Sequence, residues 1–452
     1  MLSFDPDDAA YLAELAEFVA LPTISRDADG GTMRAAAHWF AGGRAVQSGG
    51  HPVVLGSWLG AAGAPTVLVY GHYDVQPTGA EAEWLTPPFE LTVDGDIARG
   101  RGASDDKGPV FMVLKTAQAF LAQDGRLPLN VKFLFEGEEE IGSPHLAAFL
   151  AAHAADLAAD LVISADGAMW RPDEPSVAVK SKGLASMDIL VEGARTDLHS
   201  GRYGGTVANP LHALSDILAS LHHPDGRVAV DGFYDGIPGP SPQRRREIAD
   251  IPFDVTGYLG ELGLAEPHGE PGFSTLERLW ERPTLEINGV RGGGKYTVIP
   301  HVAVANVSCR LVPGQDPDTV IEAITAHVAG RHAPGVRVTV HADEARVPAY
   351  TIPAGHPAIR AASAALERVY PGQRVLLTCI PGTLPAAALF EQVLGIKTLF
   401  FSFSTADEKL HAPNEYLRIR RLKEGMRAWE QLWRLLADGP HRLAAAGSGH
   451  HE

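Results

Sequence analysis

The chain has 452 residues, 45% hydrophobic and 21% charged, with 38 Lys plus Arg against 55 Asp plus Glu and a formal net charge of −17. That length exceeds one ordinary core and predicts two domains, in a composition typical of a soluble globular protein. The acidic balance argues against a nucleic-acid or anionic-membrane partner, which needs a basic field. Cys309 and Cys379 form no CxxC pair and no disulfide framework. The N-terminus lacks a basic-then-apolar leader, and no run approaches the ~20 apolar residues of a membrane span, so cytoplasm is the expected compartment.

An amphipathic helix over residues 7–20 opens the chain, and TMRAAAHWFAG predicts a second. PTVLVYGHYDV is a β-branched strand ending in Gly and polar residues. The Gly-rich loop GRGASDDKG then leads into the helical PVFMVLKTAQAFLAQ. LNVKFLFEGEEE is a strand, SPHLAAFLAAHAADL a helix and DLVISADG a further strand. Alternating strands and helices predict an α/β layer with a largely parallel sheet, whose sites form beyond the carboxyl ends of the strands. His72, Glu139, Glu140 and Asp166 all fall at such ends.

From about residue 176 the texture changes. PSVAVKSKGLASMDILVEG reads as paired strands, NPLHALSDILASL as a helix, VAVANVSCRLVP as a strand, DTVIEAITAHVAGRH as a helix and VRVTVHADEA as a strand. This β-α-β-β-α-β-like order predicts an α+β module inserted into the first domain. A Pro- and Gly-rich excursion over roughly residues 231–283 has no clear period. After residue 350 a helix (HPAIRAASAALERVY), a strand (KTLFFSF) and a long closing helix return to the first domain. The expected boundaries are 1–182 and 349–440 for the first domain and 183–348 for the insert, with 441–452 a disordered tail.

The ligand-type residues are individually weak signals. His72 and Asp74, two apart at a strand end, point to one face, which suits a metal-binding imidazole and the carboxylate that orients it. An ordinary loop histidine would look the same. Asp105 and Asp106 open a helix, where negative charge is favourable for its own sake. Asp166 ends an apolar strand, a common turn position, and His411 lies in the polar loop DEKLHAPNE. FEGEEEIGS crowds Glu136, Glu138, Glu139 and Glu140, which repel unless a cation or solvent relieves them. The order GHYD, SDDKG, EGEEE, SADG and a late His is far more specific than any member. Imidazole and carboxylate without thiolate suit zinc or manganese, with cobalt an alternative.

In combination, YGHYDVQP, GRGASDDKG, FEGEEEIGS, DLHSG, TVIP and RLVPG resemble the aminoacylase/dipeptidase/carboxypeptidase family of two-metal hydrolases over roughly residues 10–435. GHYDVQP and the doubled Asp of SDDKG are most similar to its cytosolic non-specific dipeptidase and carnosinase branch. The resemblance implies a zinc-exopeptidase-like catalytic domain and a ferredoxin-like lid and dimerisation insert. It implies that His72 and Asp166 bind one divalent ion, Glu140 and His411 a second, and Asp105 both. Asp74 would orient His72, Glu139 would be the general base, and Asp106 would support the site or cap its helix. His199 of DLHSG would reach the reacting carbonyl, from the partner subunit of a homodimer. Arg310, His356, Thr297 and Thr383 are implied in substrate binding.

Two divalent ions would bring four positive charges against Asp105, Glu140, Asp166 and a bridging hydroxide, which makes the acidic run tolerable with Glu139 as base. Because neighbours on a strand face opposite ways, the turn into IGS has to break the pleat for Glu139 and Glu140 to share one site. Glu136 and Glu138 are left to outward or supporting positions. Three stretches depart from the dipeptidase pattern. CIPGTLP replaces a Gly-Gly-Ser loop that lines the substrate pocket, GVRGGGKY is shortened with Tyr296 at a commonly basic position, and AGGRAVQSGG is Gly-rich. The expected activity is metal-dependent hydrolysis of dipeptides or short peptides. An N-acyl-amino-acid deacylase is the alternative, and a non-catalytic homologue a third reading.

Overall fold

The structure, a computed structural model, describes residues 2–4, 8–27, 30–40, 42–331 and 334–439. The tail expected at 441–452 lies outside the described residues. The chain divides into two compact units, residues 1–180 with 352–378 and 384–452, and residues 181–351 with 379–383.

The first unit begins with α1 (Asp8–Val19), α2 (Gly30–Trp39), β1 (Arg44–Val46), β2 (Val53–Trp58) and β3 (Thr66–His72). It continues through α3 (Lys107–Asp124), β4 (Asn130–Glu136), α4 (Leu146–Ala152) and β5 (Leu161–Ser164). In the second unit lie β6 (Gly183–Glu192), α5 (Pro210–Ser220), α6 (Pro242–Ala249), α7 (Val255–Glu261), α8 (Thr275–Glu281), β7 (Thr284–Gly292), β8 (Val302–Leu311), α9 (Pro317–Ala329) and β9 (Arg337–Val347). The chain returns to the first unit with α10 (Pro357–Val369), β10 (Thr398–Phe400) and α11 (Ile419–Ala437).

The sheet of the first unit has the order β1-β2-β4-β3-β5-β10. β3 is parallel to both β4 and β5, and β10 is parallel to β5. β2 runs antiparallel to β4, and β1 antiparallel to β2. The sheet is therefore mixed rather than largely parallel. The connection between Val46 and Val53 is too short for a crossover, so β1 and β2 can only form a hairpin at the edge. Val67, Leu68 and Val69 are fully buried, as an interior strand covered on both faces requires. In register His72 faces Glu136, and Tyr70 faces both Leu134 and Ser164. β3 and β4 thus end level, and β5 ends at the rung of Tyr70, two residues short of His72.

In α11 a stripe of Leu422, Met426, Trp429, Trp433 and Leu436 is buried, the spacing of one helix face. The helix SPHLAAFLAAHAADL is broken at His153 into α4 and a single turn, Ala154–Leu157. Among the described residues no helix is long and apolar enough to cross a membrane.

The second unit carries an antiparallel sheet of order β7-β8-β6-β9. β6 and β8 alternate strictly between buried and half-buried residues. Their buried face, including Met187, Ile189, Ala305 and Val307, packs on Leu214 and Ile217 of α5 and Ile324 and Val328 of α9. The stretch expected as paired strands is not a hairpin. Ser176–Ser181 and β6 belong to different sheets, because Lys182 alone separates them and a hairpin needs at least two turn residues. The aperiodic excursion is also more regular than its sequence. α6, α7 and α8 lie within it, with Ser241 and Ser274 as N-caps and a Ser274–Glu277 capping box. Helices of two turns are too short to display a period.

Gly425 marks the closest approach of α11 to its neighbours. A Cβ there would collide with Met112 Sδ and stand 3.3 Å from the Phe403 ring. Gly425→Ala should therefore destabilise the protein by about 1–3 kcal/mol through overpacking, reversing the ~1 kcal/mol gain that helix propensity alone would give. Denaturant unfolding decides the sign, and a net gain would show that the contact relaxes freely.

Candidate metal centre

His72, the last residue of β3, is fully buried. Its Nδ1 lies 3.0 Å from the Asp74 carbonyl and 3.4 Å from Asp74 Oδ1, and its Nε2 is 3.2 Å from Asp105 Oδ1. The other Asp105 oxygen, Oδ2, is 2.9 Å from His411 Nε2, which stands 3.3 Å from Glu140 Oε2. Asp105 thus sits between two imidazoles. Ligand-type atoms of His72, Asp105 and Glu140 all lie within 4.8 Å of one another. Asp166, two residues beyond β5, is buried and feels the charges of His72, Asp105 and His411.

The acidic run solves its pleat problem by leaving the strand. β4 ends at Glu136, and Glu139–Ile141 form one 3₁₀ turn closed by Gly142 at φ 88°. Asp74 fixes that turn, accepting from the Glu139 N–H at 3.2 Å and the Glu140 N–H at 3.0 Å. Asp74 therefore orients the turn as well as His72. Gln76 donates to Glu140 Oε2 at 2.8 Å. Glu136 and Glu138 do not point outward. Buried Glu136 accepts from the Tyr70 hydroxyl at 2.7 Å and from Ser143 Oγ at 2.9 Å. Glu138 accepts from the His51 N–H at 3.1 Å and stands 2.8 Å from His145 Nδ1. Asp106 makes no side-chain cap on α3, and its Oδ2 accepts from the His72 N–H at 3.2 Å. Gly71 makes room for this, since a Cβ there would lie 2.7 Å from Asp106 Oδ2.

The electrostatics follow from this crowding. Burial pushes the Glu139 carboxyl well above its ordinary range, and burial with the Asp105 charge raises Glu140 to about 8. Asp166 is raised by burial to about 6. Burial opposes a charge on Asp105 as well, yet hydrogen bonds from His411 and His72 hold its carboxyl below the usual range. His72 is driven well above its ordinary pKa, its burial outweighed by Asp105 and Asp74, and the Asp105 hydrogen bond is the leading cause raising His411 to about 9. Imidazolium protons thus do part of the work of a cation, and the remaining carboxylates resist ionising. That is the electrostatic signature of hard-oxygen and imidazole donors built for divalent ions.

Residues 68–435 match the profile of peptidase family M20/M25/M40. The chain belongs to this family. It is 30% identical to the Cys-Gly metallodipeptidase dug1 of Schizosaccharomyces pombe, over 83% of this chain and 81% of that protein. To human Beta-Ala-His dipeptidase it is 29% identical, over 83% of this chain and 75% of that protein. The crystal structure of an M20 family metallo-carboxypeptidase from Sulfolobus solfataricus superposes with a TM-score of 0.83 at 29% identity, covering 96% of this chain and all of that one. The protein is thus an M20 metallopeptidase.

Sequence reasoning passed over the residue that holds this metallopeptidase site together. Glu415, four residues after His411, is fully buried. Its Oε1 accepts from the Ser104 and Asp105 N–H groups, each at 3.0 Å, and its Oε2 from the Gly102 N–H at 3.1 Å and Arg101 Nη1 at 2.7 Å. One carboxylate ties the Asp105 loop to the His411 loop. The signal in the sequence was a lone Glu after HAPN, with nothing to distinguish it from a surface residue. His411 itself adopts φ 62°, a left-handed conformation uncommon for a non-glycine residue.

The remaining expected residues make other contacts within their own units. His356 belongs to the first unit but is the N-cap of α10, its Nδ1 accepting from the Ala358 N–H at 3.2 Å. His199, Thr297, Arg310 and Thr383 belong to the second unit. Exposed His199 pairs with Val298 and accepts on Nδ1 from the Gly201 N–H. Thr297 contributes through its carbonyl, which accepts from the Ser200 N–H and hydroxyl. Arg310 Nη1 donates to Thr383 Oγ1 at 2.8 Å.

Glu415→Ala should cost about 3–5 kcal/mol, because it leaves the buried Arg101 guanidinium and three backbone N–H groups without their acceptor. Glu415→Gln, which keeps an acceptor oxygen, should cost clearly less. Denaturant unfolding of both variants measures this, and a loss below about 1 kcal/mol for the alanine variant would contradict the anchoring role.

Proposed function

We propose that this M20 metallopeptidase hydrolyses dipeptides, with Glu139 as general base. The observation that carries the reading is the convergence of His72, Asp105, His411 and Glu140 on one point, with the Glu139–Glu140 turn fixed by Asp74. The names of the relatives, Cys-Gly and Beta-Ala-His dipeptidases among them, support the substrate class.

His72 and Asp166 would hold one divalent ion, Glu140 and His411 a second, and Asp105 both; zinc suits this donor set, with manganese or cobalt as alternatives. When bound, such ions supply Lewis acidity to a water and to the scissile carbonyl. Glu139, half-buried and raised in pKa, takes the proton of the attacking water and returns it to the leaving amine. Asp74 holds the Glu139 backbone while it does so. His199 donates to the developing oxyanion, and we assign it to the partner subunit of a homodimer formed through the second unit, which acts as lid. Arg310, whose guanidinium matches a planar carboxylate, takes the free carboxyl end with Thr383 beside it. Two buried free cysteines suit a reducing compartment, the cytoplasm.

The test is hydrolysis of a free dipeptide and its N-acetyl amino-acid counterpart by protein stripped with chelator and reloaded with zinc or manganese. Metal-restored cleavage of the dipeptide alone is expected. Cleavage of only the acylated compound would move the protein to the deacylases. Glu139→Gln should lower turnover about 10²–10⁴-fold with metal content unchanged; full turnover would remove Glu139 from the base role. Mixing His199→Ala with Glu139→Gln subunits should restore activity, since each heterodimer keeps one intact composite site. Absence of restoration, with subunit exchange demonstrated, would place His199 outside its partner's site.

A further inference from the structure

The turn that carries Glu139 is held at its start by Asp74, which accepts from the Glu139 and Glu140 N–H groups. Glu140 has further support, because Gln76 Nε2 donates to its carbonyl at 3.1 Å and to its Oε2 at 2.8 Å. The Glu139 carboxylate makes no hydrogen bond to any described residue. Its placement is therefore set by the backbone of the turn.

The far end of that turn closes on Ser143. The Ile141 and Ser143 N–H groups both donate to the Glu138 carbonyl, at 3.2 and 2.9 Å, and the Gly142 N–H donates to the Glu139 carbonyl at 2.8 Å. Ser143 does this at φ 51°, in the left-handed region that a serine seldom adopts. Such a conformation persists only where its surroundings over-determine it. Here the Ser143 hydroxyl donates at 2.9 Å to Glu136 Oε1, which also accepts from the Tyr70 hydroxyl at 2.7 Å. All three side chains are buried.

Tyr70 on β3 and Glu136 on β4 stand two residues apart in register on adjacent strands, so neither follows the turn if it shifts. The Tyr70 ring belongs to the core cluster of Leu134, Leu146 and Phe149 and meets Phe390 edge-on at 5.2 Å. One carboxylate oxygen thus joins the turn to the core beside α4. Glu136 has no basic side chain bonded to it among the described residues. A carboxylate buried in that way is costly, and what it returns is an acceptor shared by two hydroxyls.

We propose that Tyr70, Glu136 and Ser143 are positioning residues for Glu139, a clamp on the far end of its turn that complements Asp74 at the start. The inference rests on the reading of Glu139 as general base. A base works only within hydrogen-bond reach of the proton it takes, and a misplacement of about 1 Å can cost about 10²-fold in rate. Because Gln76 and Asp74 hold Glu140 independently, loosening the clamp displaces Glu139 and leaves the metal ligand in place.

Ser143→Ala and Ser143→Gly both remove the hydroxyl. Glycine also accepts φ 51° without strain, so the denaturant midpoint of that variant should stay close to that of the unsubstituted chain. For both, kcat of the zinc-loaded protein on a free dipeptide should fall at least about tenfold, KM should stay within about threefold, and metal per chain should not change. Glu136→Gln, which keeps an acceptor oxygen between the two hydroxyls, should retain turnover to within about threefold, whereas Glu136→Ala should lose as much as Ser143→Ala. In a Glu139→Gln background, Ser143→Gly should lower turnover by less than about twofold more, since the group it positions is already gone. Multiplying losses, turnover untouched by both serine variants, equal losses in Glu136→Gln and Glu136→Ala, or a loss traced to missing metal overturns the proposal. Amide hydrogen exchange reads the clamp apart from the reaction: the Ile141 and Gly142 amides should exchange at least about tenfold faster in Ser143→Gly. Unchanged exchange overturns the clamp whatever the chain cleaves. Faster exchange in a protein that cleaves no dipeptide before substitution overturns the dipeptidase reading and supports the clamp.

Discussion

Carboxylates that cannot all be charged at once are the constraint on which the rest of this site depends. Asp105, Glu139, Glu140 and Asp166 meet beyond the carboxyl ends of β3, β4 and β5, in surroundings that strip them of water. In such a place each added negative charge is opposed both by burial and by its neighbours. Two imidazoles set against Asp105 relieve only the carboxylate they touch, which is why Asp105 moves down in pKa while the other three move up. The arrangement costs stability as a set of bare acids and becomes favourable in the presence of divalent cations. Its electrostatics are those of a binding site and a poor structural motif.

What keeps the acids in place is a second group of carboxylates whose partners are backbone N–H groups. Asp74 accepts from the N–H groups of Glu139 and Glu140, Asp106 from that of His72, and Glu415 from three N–H groups around Asp105. Binding the main chain leaves the working side chains free while fixing where each begins. It also makes the carriers rigid, since each carrier loop is held at its own backbone and not through the tip of a mobile side chain. The unusual φ of His411 belongs to the same logic: Glu415, four residues on, locks the loop on which that conformation is maintained.

The parts of this organisation that sequence could reach are those with a period or an ordered set of motifs. β3 and β4 read as apolar strands, β8 read as a strand, and the spaced acids and histidines pointed to strand ends. The break in the pleat at Glu139 was required by the two adjacent glutamates sharing one site. The mixed sheet was not legible, because β1 has three residues and its pairing is set by a short connection, not by pattern. Nor were the roles of Glu136, Glu138 and Glu415, since a buried acid held by main-chain or hydroxyl donors looks, in sequence, like any acid in a polar loop. α6, α7 and α8 were hidden for a different reason: two turns of helix give too few residues for a stripe, and the Ser caps of α6 and α8 resemble the loops around them.

That hidden segment lines a cavity of the second unit. The proposed metal ligands lie in the first unit, while His199 and Arg310 lie in the second. The walls of the second unit's cavity come from short capped helices and a Pro-containing loop, elements whose side chains can change without disturbing a sheet. Arg310 is held differently from these walls. Its place on β8, opposite Thr284 of β7, is fixed by antiparallel register, so the charge is delivered from a rigid strand while the apolar lining around it is supplied by the excursion.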